Sequence, residues 1–277
     1  MDATGATSSH GVREPLPGVV VCADAAAVAR EAATRFVDIA LESIAGRAMF
    51  AVALAGGSTP RELYRLLASD EFRDQVDWNK LVVFWGDERA VPPDHPDSNF
   101  GLANETLLQH VPIPAQQIHR MAAERQPIGR AAADYERKLE TLVLPSAGNH
   151  PRFDLIVLGM GADGHTASLF PGTDHTQTSR WVTARPIEKL GAWRMSFTLP
   201  VLNAARHVLF LITGEEKAAT LGRVLNGPAS PDEAPLPAQL VQPVNGQRVF
   251  LVDEAAAREF VAVGTSVAVP PAQEGTP

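Results

Sequence analysis

The chain has 277 residues, 45% of them hydrophobic, and a formal net charge of −8, enough for one large α/β domain or two small ones. Its acidic balance offers no continuous basic footprint, which argues against nucleic acid as the main partner. Cys22 is the only cysteine, so an internal disulfide and a cysteine-rich metal site are excluded and a reducing compartment, the cytoplasm, is the expected home.

Residues 1–17 are polar, carry Arg13, Pro15 and Pro17, and lack the apolar segment of a secretory signal, so they read as a flexible tail. A single α/β domain is expected over 18–264. Residues 265–277, with Pro270, Pro271, Gly275 and Pro277, read as a second flexible tail. No uninterrupted apolar run approaches the ~20 residues that a bilayer-crossing helix needs, so no membrane partner is expected.

Val19–Cys22 predicts a short buried strand, followed by a helix that Asp24 can cap and that runs to Gly46. Met49–Leu54 predicts the next strand, leading straight into Gly56-Gly57-Ser58-Thr59-Pro60-Arg61-Glu62. Thr59 and Glu62 have capping-box spacing, and Pro60 suits a first helical position. Leu81–Trp85 predicts a third strand, with Gly86-Asp87-Glu88-Arg89 as the loop after it and a helical segment over 99–108. A further helix is expected over 128–143.

Phe153–Leu158 is an apolar strand that breaks into Gly159, Gly161 and Gly164 and delivers His165. Strands are expected around 181–184, 194–199, 207–213 and 248–252, with helices over 215–225 and from Asp253 onward. Lys217 falls in the first turn of its helix, where a cation opposes the helix dipole, and such a placement invites a functional explanation. Strands alternating with helices predict a mostly parallel β-sheet flanked by helices on both faces, with ligands bound beyond the carboxyl ends of the strands.

Three loops at those ends hold the candidate chemistry. Gly56, Gly57, Ser58 and Thr59 at a helix start present N–H groups, hydroxyls and the positive end of the dipole, which suits a phosphate as well as it suits simple helix capping. The stretch also approaches a nucleophile elbow with Ser58 as nucleophile, but Pro60 replaces the second glycine of that pattern. Gly159-x-Gly161-x-x-Gly164 matches a dinucleotide fingerprint in letters only, because Pro171-Gly172 arrives too soon for the long helix that fingerprint requires.

An imidazole, with an ordinary pKa of about 6.5, accepts protons at physiological pH, and His165 has Asp163 two residues away to orient it. Asp87, Glu88 and Arg89 make either a solvated loop cluster or part of a site. Arg194 and Lys217 are candidates for balancing a phosphate's charge. No set of His, Asp and Glu has metal-ligand spacing, so no metal is expected.

Taken together, Leu54-Ala-Gly-Gly-Ser-Thr-Pro60, Phe84-Trp-Gly-Asp-Glu-Arg89 with Asp97-Ser-Asn99, and Gly161-Ala-Asp-Gly-His-Thr-Ala-Ser-Leu-Phe-Pro171 resemble the 6-phosphogluconolactonase family from about Val19 to Val261. The resemblance implies a Rossmann-like α/β fold related to glucosamine-6-phosphate deaminase. It also implies hydrolysis of 6-phospho-D-glucono-1,5-lactone in the pentose phosphate pathway, with no cofactor. It would make His165 the base that activates water and put the substrate phosphate on Gly57, Ser58 and Thr59, helped by Arg194 and Lys217. Arg89 or a loop N–H would meet the oxyanion, and Asp163 or Asp87 would assist.

The expected partner is a small phosphorylated sugar lactone, bound by a monomer or weak homo-oligomer. Two other readings compete. One is a deaminase or isomerase using Asp87 on 6-phosphosugars, against which stands the run Thr166–Pro171. The other is a non-catalytic phosphosugar sensor, for which residues 1–17 are too short and polar to form a DNA-binding module.

Overall fold

Strands that are apolar at every position have no face to give to water and must be covered on both sides. Val19–Cys22, Phe50–Leu54, Leu81–Trp85 and Leu155–Leu158 are of that kind, and every residue in them is buried. The computed structural model describes residues 13–145, 148–173, 175, 179–227, 230 and 233–264. Its elements in chain order begin β1 (Arg13–Leu16), β2 (Val19–Cys22), α1 (Ala25–Arg47), β3 (Phe50–Leu54), α2 (Ser58–Leu67), β4 (Leu81–Trp85), β5 (Asp87–Arg89), α3 (Asn99–Ala103) and α4 (Ile128–Leu142). They continue β6 (Leu155–Leu158), β7 (Val182–Ile187), β8 (Ala192–Phe197), α5 (Leu199–Ala204), β9 (His207–Ile212), α6 (Ala218–Asn226), α7 (Pro237–Leu240), β10 (Gln247–Asp253) and α8 (Glu254–Gly264).

The main sheet has the order β1-β2-β10-β9-β6-β3-β4. Its last six strands are mutually parallel, and β1 is added antiparallel to β2 at the edge. Helices flank this Rossmann-like sheet. A second sheet, β5-β8-β7, is antiparallel throughout. No helix among the described residues is long and apolar enough to cross a membrane.

The two tyrosines of the chain lie under the strand ends that face the site. Tyr64 Oη donates to the Ala55 carbonyl at 2.6 Å and accepts from the Ala55 N–H at 2.9 Å, just after β3. Tyr135 Oη accepts from the Trp85 N–H at 2.9 Å at the end of β4. Each phenol replaces the ladder partner that a strand end lacks, and burial pushes both phenol pKa values up. At the opposite end of the sheet, Asp154 accepts from the Ala51 N–H at 2.9 Å and pairs with Arg47 and Arg206.

The structure departs from the sequence reading at three places. Arg13–Leu16 is strand β1, although it falls within the stretch expected to be a tail, because β2 offers it an edge to pair with. Residues 265–277 lie outside the described residues. Asp87–Arg89 is a short strand rather than a loop, paired with Arg194–Ser196 of β8.

The capping box at α2 does not form. The helix starts at Ser58 with Gly57 as N-cap at φ 110°, a conformation that favours glycine, and no side chain caps it. Thr59 Oγ1 bonds Thr213 Oγ1 at 2.8 Å, and Glu62 turns to Arg65. After His165, where the early Pro171 leaves no room for a long helix, no helix forms. Thr166 and Leu169 exchange backbone hydrogen bonds in a closed turn, with Ala167 at φ 47°.

Candidate active site

The carboxyl ends of four adjacent strands, β9, β6, β3 and β4, open on one cleft of ≈ 270 Å³. Gly56, Gly57, Ser58 and Thr59 line it from the start of α2, Asp87 and Arg89 from β5, His165 from the loop after β6, and Lys217 from the turn before α6. A larger groove of ≈ 830 Å³ lies between α1 and α2, but it contains no strand-end loop, and its Arg30 and Glu71 side chains pair with each other. The strand-end cleft is where this fold class binds ligands.

The histidine loop is held from several sides. Thr166 Oγ1 donates to the Gly159 carbonyl at 2.8 Å, Thr220 Oγ1 to the Ala162 carbonyl at 2.6 Å, and the Ala238 N–H to the Gly164 carbonyl at 3.1 Å. Gly161 is required by close approach, since a β-carbon there would stand 2.1 Å from His165 Nδ1. His165 stacks on Phe170 with ring centroids 4.4 Å apart.

Asp163 Oδ1 lies 2.5 Å from His165 Nδ1, and its other oxygen takes an ion pair from Lys189. Burial raises the Asp163 carboxyl pKa, but the hydrogen bonds from Lys189 and His165 outweigh that and hold it at about 2. An ionised carboxylate only accepts, so Nδ1 carries the proton and Nε2 is left as the acceptor.

Asp87 is 8% exposed, and both of its carboxylate oxygens are occupied. Oδ1 accepts from Asn99 Nδ2 at 3.1 Å, and Oδ2 from Ser168 Oγ at 2.7 Å. Glu88 accepts from the N–H groups of Arg89, Asn99 and Phe100 and from Ser98 Oγ, which fixes the start of α3 against β5. Burial pushes the Glu88 carboxyl up against those bonds. Arg89 Nη1 donates to the Asp97 carbonyl at 2.6 Å, while its buried Nε has no protein partner.

Of the candidate residues, Gly56, Gly57, Ser58, Thr59, Asp87, Arg89, His165 and Lys217 share the cleft, and Asp163 stands behind His165. Arg194 does not line it. It pairs in register with Arg89 across β5 and β8 and borders a small neighbouring cavity with Ser168 and Ser196. Burial, and then the Arg89 cation, pull the Arg194 guanidinium below its ordinary pKa. Asn99, Ser168 and Lys189 carry no role in the sequence reading. Asn99 and Ser168 had a local signal, as the end of Asp97-Ser98-Asn99 and as part of the run from Gly161 to Pro171, and Lys189 had none.

The arrangement offers an oriented imidazole, an uncapped helix N-terminus and cations around one polar cleft, a set suited to a small phosphorylated substrate. The sequence profile described as "Glucosamine-6-phosphate isomerases/6-phosphogluconolactonase" matches residues 23–250. The chain belongs to this family.

It is 43% identical over 216 residues to the 6-phosphogluconolactonase of Synechocystis sp., covering 78% of this chain and 86% of that one. It is 37% identical to that of Haemophilus influenzae, covering 75% and 86%. The fold superposes on 6-phosphogluconolactonase from Trypanosoma brucei with a TM-score of 0.76 at 29% identity, covering 88% of this chain and 98% of that one. For the Thermotoga maritima enzyme the values are 0.71 and 30%, with 85% and 98% covered.

Proposed function

We propose that this chain hydrolyses 6-phospho-D-glucono-1,5-lactone to 6-phospho-D-gluconate, in the oxidative branch of the pentose phosphate pathway, with His165 as the base that activates water. The observation that carries the reading is the Asp163–His165 contact of 2.5 Å, on the lining of a cleft whose other wall is the uncapped start of α2. Relatives of that name at 43% and 37% identity support the substrate.

A lactone is an activated acyl group, so water needs only deprotonation and aim. Water oxygen bonds to the carbonyl carbon as one of its protons passes to His165 Nε2, and the carbonyl electron pair moves onto oxygen. Collapse re-forms the carbonyl, breaks the bond from carbon to ring oxygen, and returns the proton from Nε2 to that oxygen. No covalent enzyme intermediate and no cofactor enter these steps. Asp163 holds the ring and stabilises the imidazolium, while Arg89, whose guanidinium borders the cleft, is the side-chain donor assigned to the oxyanion.

Gly56 to Thr59 take the phosphate at the α2 N-terminus, with Lys217 adding charge and Arg194 acting from behind Arg89. Asp87 serves to tie the loops together, because both its oxygens are already accepting. That occupancy favours hydrolysis over a reaction in which Asp87 would shuttle protons on a 6-phosphosugar. The low cysteine content and the phosphorylated substrate fit a cytoplasmic enzyme.

The test is lactone hydrolysis above the spontaneous rate. His165→Ala is expected to lower kcat by about 10²–10⁴-fold with little change in KM. Ammonia release from glucosamine 6-phosphate at a rate comparable to lactone hydrolysis would overturn the reading.

A further inference from the structure

Lys189 stands in the turn between β7 and β8, outside the lining of the cleft. It nevertheless reaches the carboxylate that orients His165. Asp163 divides its oxygens between two partners, Oδ1 to His165 Nδ1 and Oδ2 to Lys189 Nζ. The same lysine places Nζ 4.4 Å from the centroid of Phe170, the ring on which His165 stacks. The imidazole is thus met by one anion and one aromatic face, and Lys189 touches both.

We propose that Lys189 is a positioning residue for the hydrolysis, fixing the Asp163 carboxylate through its second oxygen and offsetting its charge, so that the ring of His165 stays aimed at the cleft. The proposal rests on the reading of His165 as the base. An unpaired carboxylate 2.5 Å from Nδ1 would favour the imidazolium before any water is bound. A carboxylate already shared with an ammonium favours it less, while keeping the geometry that stabilises the charge once it forms.

The other charged groups around His165 are Asp87 and Arg89 on β5 and Lys217 before α6, which line the same cleft. Asp87 accepts hydrogen bonds from Asn99 and Ser168 rather than from His165, and Arg89 is turned to the Asp97 carbonyl. Lys189 is therefore the cation bonded directly to the residue that holds the ring. Its side chain is half exposed, which moderates the electrostatic effect without removing it.

The experiment is the pH dependence of kcat/KM for lactone hydrolysis in Lys189→Met and Lys189→Arg, with His165→Ala measured alongside. In Lys189→Met the acid limb is expected to move upward by about 0.5–1 pH unit. Its plateau kcat should fall by about 3- to 10-fold with KM within about twofold, and Lys189→Arg should restore both. A methionine variant whose acid limb superimposes on that of the unsubstituted enzyme, while His165→Ala is inactive, would overturn the role of Lys189 alone. Retained activity in His165→Ala would instead remove the base assignment on which the proposal stands.

Discussion

Ser168 Oγ donates a 2.7 Å hydrogen bond to Asp87 Oδ2, joining the histidine loop to the strand that starts the second sheet. Ser168 is itself positioned by its N–H, which donates to Ser196 Oγ on β8 at 3.2 Å. One residue therefore ties the loop that carries His165 to β5 through its hydroxyl and to β8 through its N–H. Without it, Asp87 Oδ2 would be a buried carboxylate oxygen lacking its donor. Ser168→Ala is expected to destabilise the fold by about 1–3 kcal/mol in denaturant unfolding, and to lower kcat/KM because Asp87 and the loop lose their common anchor. Unchanged stability would mean that water replaces the serine.

Gly161 gives a sharper test of placement. A β-carbon at this position would lie 2.1 Å from His165 Nδ1 and 2.8 Å from Asp163 Oδ1, so Gly161→Ala must push the pair apart or rotate the ring away. A misplacement of about 1 Å costs on the order of 10²-fold in rate. Steady-state kinetics should show that loss in kcat, with thermal stability nearly preserved because the loop is clamped elsewhere by Thr166, Thr220 and Ala238.

How much of this was legible beforehand follows from what each feature depends on. The strands of the parallel sheet are short apolar runs, and the polar residues that break them are the cleft, so Gly56 to Thr59, Asp87 to Arg89 and His165 could be read in one dimension. The roles of Ser168 and Lys189 could not. Ser168 falls inside the run from Gly161 to Pro171, but its partner lies 81 residues away, and Lys189, 26 residues from Asp163, stands in a loop with no motif or periodicity to mark it.

The same reason defeated the capping box. Thr59 has the correct spacing for Glu62, but its hydroxyl bonds Thr213, 154 residues distant, and Gly57 starts the helix without a side-chain cap. Strand β5 was hidden by its composition. Three charged residues show no strand pattern, and only pairing with β8 makes them one.

Asp163 links the site to acid stability. Its ordinary pKa of 3.8 is held at about 2 in the fold, by Lys189 and His165 acting against burial. A depressed carboxylate contributes stability that is fully present above the unfolded pKa and lost as pH falls through the folded one. The contribution should therefore disappear between pH 3.8 and about 2. Asp163→Asn is expected to be less stable than the parent at pH 6 and to converge with it toward pH 2, as read by denaturant midpoints across that range. Parallel curves would show that the carboxylate's charge does not hold the loop.

Ser58 separates two chemistries that its sequence context left open. As the first residue of α2 it stands beside Gly57 and Thr59 at a helix start with no side-chain cap, so its N–H and hydroxyl are available to an anion in the cleft. If the serine grips phosphate, Ser58→Ala should raise KM by roughly 3- to 30-fold and leave kcat within about threefold, since the lost interaction is made equally in ground and transition states. Inorganic phosphate should inhibit the parent competitively, and more weakly the variant. If the serine were a nucleophile, the substitution would abolish turnover even at saturating lactone, and mass spectrometry of the quenched parent enzyme would show an acyl adduct. No hydrogen bond from His165 to Ser58 is present, and the imidazole is instead oriented by Asp163, which is the geometry of a base that acts on water.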